Sequence, residues 1–206
     1  MKRAGHILLL LAVLSCAQVV PTGDPPRDPD IPCSGLRCNV TRCGNGQETR
    51  LRGQVTVPNG LDPVGKAVVY VPESEPLPPL SSDLSCELCR DPIAGKAVTF
   101  AYSGSDGRFD LRGVPSGDSV ALVVQKGRFR RLTHVRVPSC KITDLPSEQT
   151  RLPRSLQEGS LPKLAVAAGD HDAIECVLRQ IGISDSEFAT PEKNTAVHLY
   201  DNQKPG

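Results

Sequence analysis

Between residues 49 and 140 apolar and polar positions alternate along most of the chain, the period-2 signature of strands with one buried face. Leu51, Gly53, Val55 and Val57 alternate with Arg50, Arg52, Gln54 and Thr56 until Pro58-Asn59-Gly60 breaks the run. Ala67-Val68-Val69-Tyr70-Val71 is unbroken and β-branched, which predicts a strand buried on both faces or nearly so. Val98, Phe100 and Tyr102 share one face of the next run, and Phe109 and Leu111 then alternate with Arg108, Asp110 and Arg112. Asp106-Gly107 between them reads as a tight hairpin turn, because glycine takes a positive φ at no steric cost. Val120, Leu122 and Val124 predict another strand, Gly127 turns it, and residues 128–137 make the last. About six strands at this spacing predict an antiparallel β-sandwich.

The pattern changes after Cys140. Residues 141–161 are polar, contain Pro146, Pro153 and Gly159, and read as a linker. Leu164-Ala165-Val166-Ala167-Ala168 predicts a buried strand. Ile174, Val177, Leu178 and Ile181 recur at helical spacing and predict an amphipathic helix with that stripe inward. Asp170 and Asp172 suit its N-terminus and Gly182 its C-cap. Val197-His198-Leu199-Tyr200 is a second short strand, so residues 162–206 read as a short βαβ fragment, a truncated α/β unit.

Composition adds an address. Eight cysteines in 206 residues point to an oxidising compartment. Lys2 and Arg3 precede the apolar run from Ile7 to Leu14, as in a secretory signal, and the run is far short of the roughly 20 residues that span a bilayer. Two processing routes fit residues 1–16. Ser15-Cys16-Ala17 offers small residues for plain cleavage, whereas Val13-Leu14-Ser15-Cys16 resembles a bacterial lipobox that would lipidate Cys16. Residues 17–48 hold a proline-rich tether followed by Cys33, Cys38 and Cys43. Zinc ligands usually come as CxxC pairs or with histidine, and no histidine lies nearby, so disulfides are favoured. Asn39-Val40-Thr41 matches a glycosylation sequon, a chance match in a bacterial lipoprotein. Cys86 and Cys89 form a CxxC inside the proline-rich insertion 72–95, where nothing lowers a thiol pKa, and this favours structural bridges over redox chemistry. With Cys140 the six make three bridges and leave Cys176 unpaired.

Leu51-Arg52-Gly53-Gln54-Val55, the run from Pro63 to Val71, the block from Ser105 to Gly117, and Val120-Ala121-Leu122-Val123-Val124 with Gly127 together resemble the carboxypeptidase regulatory-like domain. That family is a transthyretin-like, prealbumin-type fold. The resemblance covers residues 49–138 and implies a mainly β, seven-stranded-type antiparallel sandwich over 49–140, related to carbohydrate-binding-like folds. The cysteine-bearing insertion and the basic final strand depart from the family. The layout also resembles secreted proteins, frequent in myxobacteria, with a Cys-rich segment before such a sandwich. The tail resembles the start of an amidotransferase-like or ThuA-like α/β domain.

Chemistry is sparse. The net charge is +1 and aromatic residues are 3% with no tryptophan, which argues against nucleic acid and leaves few stacking platforms. No Walker loop, GxGxxG, HExxH, GxSxG or EF-hand pattern occurs, so neither a catalytic residue nor a cofactor is expected. Asp170-His171-Asp172 are adjacent and cannot all face one ion on a helix, so no metal is expected there. Arg128, Arg130, His134 and Arg136 share one parity of the last strand, a candidate site for an anionic glycan or an acidic envelope protein. The competing reading is a solvated or edge strand, whose charges also block edge-to-edge pairing. The expectation is a non-catalytic extracytoplasmic binding or scaffold protein, possible ligands including carbohydrate, held at the bacterial outer membrane by a lipid or secreted. The alternative is an accessory domain joined to the remnant of a larger α/β enzyme.

Overall fold

The computed structural model describes residues 35–80, 93, 95–168 and 173–201. The signal segment with Cys16, the tether, Cys33, Cys86, Cys89 and Asp170-His171-Asp172 lie outside the described residues. In chain order the strands are β1 (Arg50–Gln54), β2 (Val68–Pro72), β3 (Ala97–Tyr102), β4 (Arg108–Arg112), β5 (Gly117–Lys126) and β6 (Phe129–Val137). They continue as β7 (Ile142–Asp144), β8 (Gly159–Ser160), β9 (Leu164–Ala168), β10 (Phe188–Ala189) and β11 (Val197–Asp201). Two short helices, α1 (Ser147–Thr150) and α2 (Ile174–Gln180), accompany them, so the chain is mainly β. Among the described residues no helix is long and apolar enough to cross a membrane.

β3, β2, β5, β6 and β8 form a five-stranded sheet in that order, with every neighbouring pair antiparallel. β4, β1 and β7 form a three-stranded sheet in which β4 runs antiparallel and β7 parallel to β1. The alternation of side chains decides what each sheet buries. Leu51, Phe109 and Leu111 from the smaller sheet join Val69, Val71, Leu122, Val124, Val135 and Val137 from the larger one in a single apolar cluster. Each fully buried leucine or valine there stabilises the fold by about 1.5–3 kcal/mol. Val68, Tyr70 and Val123 form a second cluster on the opposite face of the five-stranded sheet. β2 is therefore buried on both faces, as its unbroken apolar run predicts. Gly53 pairs with Phe109, and a Cβ there would stand 3.0 Å from the Phe109 ring, so the glycine gives the ring its place in the core.

The Asp106-Gly107 turn is not a hairpin. β3 and β4, which it joins, belong to different sheets, and the turn carries the chain from one to the other. Gly107 (φ +75°) donates to the Gly104 carbonyl at 2.9 Å, and the Asp106 carboxylate accepts from the Arg108 N–H at 3.0 Å. A Cβ at Gly107 would meet the Val55 carbonyl oxygen at 2.5 Å, so close backbone approach also requires glycine. The dipeptide specifies a reversal; the strand's partner is chosen by distant residues. A two-residue hairpin loop does occur at Gly127-Arg128 between β5 and β6, with Gly127 at φ +55°.

The segment expected as a linker is folded into the protein. β7 adds to the three-stranded sheet, and the Leu145 N–H donates to the Arg52 carbonyl at 2.8 Å. Thr150 Oγ1 donates to the Gln54 carbonyl at 2.6 Å, and Leu152 is buried in the main cluster. Arg151, only 2% exposed, anchors this stretch. Its guanidinium donates to Glu148 Oε1 at 2.7 and 3.0 Å, to both oxygens of Glu158 at 2.7 and 2.9 Å, and to the Leu152 carbonyl at 3.2 Å. Polarity there marked buried ion pairing, which sequence alone does not distinguish from solvation.

β10, β11 and β9 form an all-parallel sheet in that order. Its core of Leu161, Val166, Ile183, Ala196 and Val197 shares Phe129 as a packing neighbour with the main cluster. Gly182 (φ +100°) follows α2 as expected and lies directly on the backbone of Pro58 and Asn59, leaving no room for a Cβ. The Asn59 N–H donates to the Ile181 carbonyl at 2.8 Å, and the buried Glu187 accepts from the Leu156 and Ala196 N–H groups at 2.9 and 3.1 Å. The helical stripe is only half used. Leu178 and Ile181 pack inward, whereas Ile174 and Val177 are exposed, because the narrow sheet reaches only the C-terminal half of α2. Ala173 occupies the N-cap without a side-chain bond.

Candidate functional site

The strand pairing collects arginines on the open face of the three-stranded sheet. Arg50, Arg52 and Gln54 project opposite to Leu51 on β1, as Arg108, Asp110 and Arg112 project opposite to Phe109 and Leu111 on β4. The register sets Arg50 beside Arg112, Arg52 beside Asp110 and Gln54 beside Arg108, with Asp144 of β7 next to Arg52. Arg50 donates from Nε to Asp110 Oδ1 at 2.9 Å and from Nη2 to Oδ2, a bidentate pair. These bonds hold the Asp110 carboxyl below its ordinary pKa, with the charges of Arg50, Arg52 and Arg112 adding to the effect.

Asp110 is thus committed to Arg50, and Arg52 and Arg112 stand at 3.8 and 4.0 Å from it. Among the described residues neither of their guanidinium groups donates a hydrogen bond. Arg108, 80% exposed, reaches Asp106 at 3.5 Å. The face therefore carries arginines rooted about 5 Å apart where strands pair (Arg50 and Arg112) and about 7 Å apart along β1 (Arg50 and Arg52). Such an array matches a ligand with repeated carboxylates or sulfates. The three acids nearby, Asp106, Asp110 and Asp144, order the array and reduce its net charge.

The basic strand is arranged differently. Arg130, expected on an exposed face, is 8% exposed and donates from Nη1 to the Pro78 carbonyl at 2.8 Å. His134 Nε2 lies 3.1 Å from Glu75 Oε1, and Arg136 Nε lies 3.1 Å from Asp118 Oδ1. Arg128 lies in the turn after β5, not on the strand, and is not free. The physical reason is the segment 73–80, which leaves β2 and crosses the outer face of the sheet, laying Leu77 against Tyr70 and Leu132. The shared parity of Arg130 and His134 does put them on one face, but the segment 73–80 covers Arg130 there, whereas His134 and Arg136 stay exposed.

Cys43 and Cys140 form a disulfide across 97 residues, and Cys38 is disulfide-bonded as well. The first bridge ties the Cys-rich segment to the end of β6, where the Cys140 N–H donates to Thr49 Oγ1 at 2.9 Å. Cys176 carries a free, exposed thiol, as counting the cysteines implied. His198 Nε2 faces the Lys193 carbonyl at 3.2 Å. Among the described residues no cluster of three or more metal-ligating side chains occurs.

The arginines of β1 and β4 went unrecognised as a site because each was counted only as the polar half of an alternation. The available signal was that two alternating strands both carried arginine at their outward positions. Comparison with protein-family models finds no match, and comparison with curated proteins finds none.

Proposed function

We propose that this chain is a non-catalytic extracytoplasmic binding or scaffold protein whose ligand is an acidic polysaccharide, gripped by the open arginine face. The observation that carries this reading is the pair Arg52 and Arg112 beside an Asp110 already committed to Arg50, with Arg108 next to them on β4 and paired to Asp106. The Cys43–Cys140 bridge supports an oxidising compartment, and lipidation at Cys16 would hold the protein at the bacterial outer membrane. The two sheets sharing one core are read as a seven-stranded-type sandwich of the carboxypeptidase regulatory-like kind, whose kinship with carbohydrate-binding-like folds makes a glycan the first ligand to try.

The test is retention on immobilised sulfated and uronate polysaccharides. The triple variant R52Q/R108Q/R112Q should elute at much lower salt than the wild type, with thermal stability little changed. Equal retention of both proteins refutes the assignment. Replacing Cys16 by Ala should abolish lipid labelling, and continued labelling would remove the anchor.

A second reading rests on the all-parallel order of the C-terminal sheet, which is unusual outside α/β proteins. In this reading β9, α2 and β11 are a βαβ unit from an amidotransferase-like or ThuA-like domain to which the sandwich was accessory. A coding sequence that continues the pattern beyond residue 206 would favour it.

A further inference from the structure

Two buried arginines near Glu158, Arg151 and Arg130, have different surroundings. Arg151 donates five hydrogen bonds to Glu148, Glu158 and the Leu152 carbonyl, so its guanidinium is satisfied. Arg130, more than nine-tenths buried, has one side-chain hydrogen bond among the described residues, to the Pro78 carbonyl, and no carboxylate partner. A buried cation lacking a counter-charge is unfavourable unless something else supplies the anion.

Arg130 lines an open cleft of about 240 Å³ together with Leu77, Leu132, Leu156, Glu158 and Ser160. Glu158 does not serve as its counter-ion. Both Glu158 oxygens are taken by Arg151, and one also accepts from the Arg154 N–H at 2.9 Å. These bonds hold the Glu158 carboxyl down to about 2, so it stays ionised and committed to Arg151. Arg131 acts on both Glu148 and Glu158 and Arg154 on Glu148, so with Arg151 three arginines already answer these two carboxylates.

A second group is also unsatisfied. The Tyr70 hydroxyl is fully buried on the same sheet face with the Arg130 guanidinium close enough to act on it, and among the described residues it has no hydrogen bond of ordinary geometry. The register places Val123 between Tyr70 and Leu132, so all three share the sheet face on which the cleft opens. The cleft thus offers a guanidinium with no carboxylate partner among the described residues, and three leucines.

From this we infer that the cleft binds a small organic carboxylate with a short apolar tail, the carboxylate on Arg130 and the tail on Leu77, Leu132 and Leu156. The volume admits a ligand of a few carbons, below the range of drug-sized pockets. The site is separate from the arginine face, which belongs to the other sheet.

The test is amide chemical-shift titration of the intact protein with hexanoate, hexanol and inorganic phosphate. Hexanoate should shift Leu132, Gly159 and Ser160, and hexanol and phosphate should each bind at least about tenfold more weakly. R130Q should lose about the same factor. Should R130Q fail to fold, L156E keeps the test alive, because Leu156 is 36% exposed at the rim and a carboxylate there repels the ligand. R52Q/R112Q should bind hexanoate as the wild type does, which separates this site from the polysaccharide reading. Equal binding of hexanol, equal binding of phosphate, no shifts at those amides, or unchanged affinity in folded R130Q or L156E would each overturn the proposal.

Discussion

Two faces of this molecule carry arginine at alternate strand positions, and they differ in what crosses them. On the three-stranded sheet the outward residues of β1 and β4 meet solvent, and Asp110 organises three guanidinium groups while Asp106 holds a fourth. On the five-stranded sheet the segment 73–80 lies over β6, burying Arg130 and pairing His134 with Glu75. The local pattern is nearly the same. An arginine on a bare face is a candidate contact for a large polyanion, whereas one under a roof is either part of the architecture or an anchor for something small.

The strongest way to break this comparison is to remove arginines of each kind and compare stabilities. Arg151→Met leaves the half-buried Glu158 without its partner and removes five hydrogen bonds from a buried position, and should cost about 2–4 kcal/mol in urea unfolding. Arg52→Met, on the open face, should cost no more than about 0.5 kcal/mol. Equal losses would mean that burial does not separate the two classes.

Cys43→Ser with Cys140→Ser should lower stability by about 2–4 kcal/mol, since the bridge closes a long loop in the unfolded chain. Polysaccharide retention by the folded fraction should be unaffected. Loss of retention would tie the bridge to the arginine face.

Acid should separate the regions further. Glu158 is held at about 2 from an ordinary 4.5, and Asp110 and Glu148 are also depressed by their arginines. A depressed carboxylate binds fewer protons folded than unfolded, so its contribution is complete above the unfolded pKa and is lost as pH falls. Stability should therefore decline from about pH 4.5 towards pH 2, and E158Q should flatten much of that decline. An E158Q profile identical to wild type would show that the Arg151 cluster does not govern acid unfolding.

The smallest effects concern the open charges. Asp110→Asn should strengthen polysaccharide retention by freeing Arg50, whereas R136Q, which breaks an exposed pair with Asp118, should change it little. The opposite order would move the site back to β6.

Much of the fold is legible as local pattern. The alternations over β1 and β4, the unbroken run of β2, the helix beginning at Ile174, and Gly182 at its end all follow from periodicity and backbone geometry, which neighbouring residues decide among themselves. The candidate site was only half legible: Arg50, Arg52, Arg108 and Arg112 are plainly outward, but rows across strands exist only once a register joins residues about 60 positions apart.

What the sequence by itself determined is which side of each strand is apolar and where the chain must turn. Only the tertiary structure decided that the Asp106-Gly107 turn passes between sheets, that residues 141–161 supply a strand and a buried arginine, and that one basic face is covered at Arg130 while another is bare. The reason is physical. Alternation is fixed by the geometry of successive residues, whereas pairing and coverage depend on which distant segments win the competition to bury their apolar sides. Whether an arginine ends up as contact, anchor or support follows from that competition.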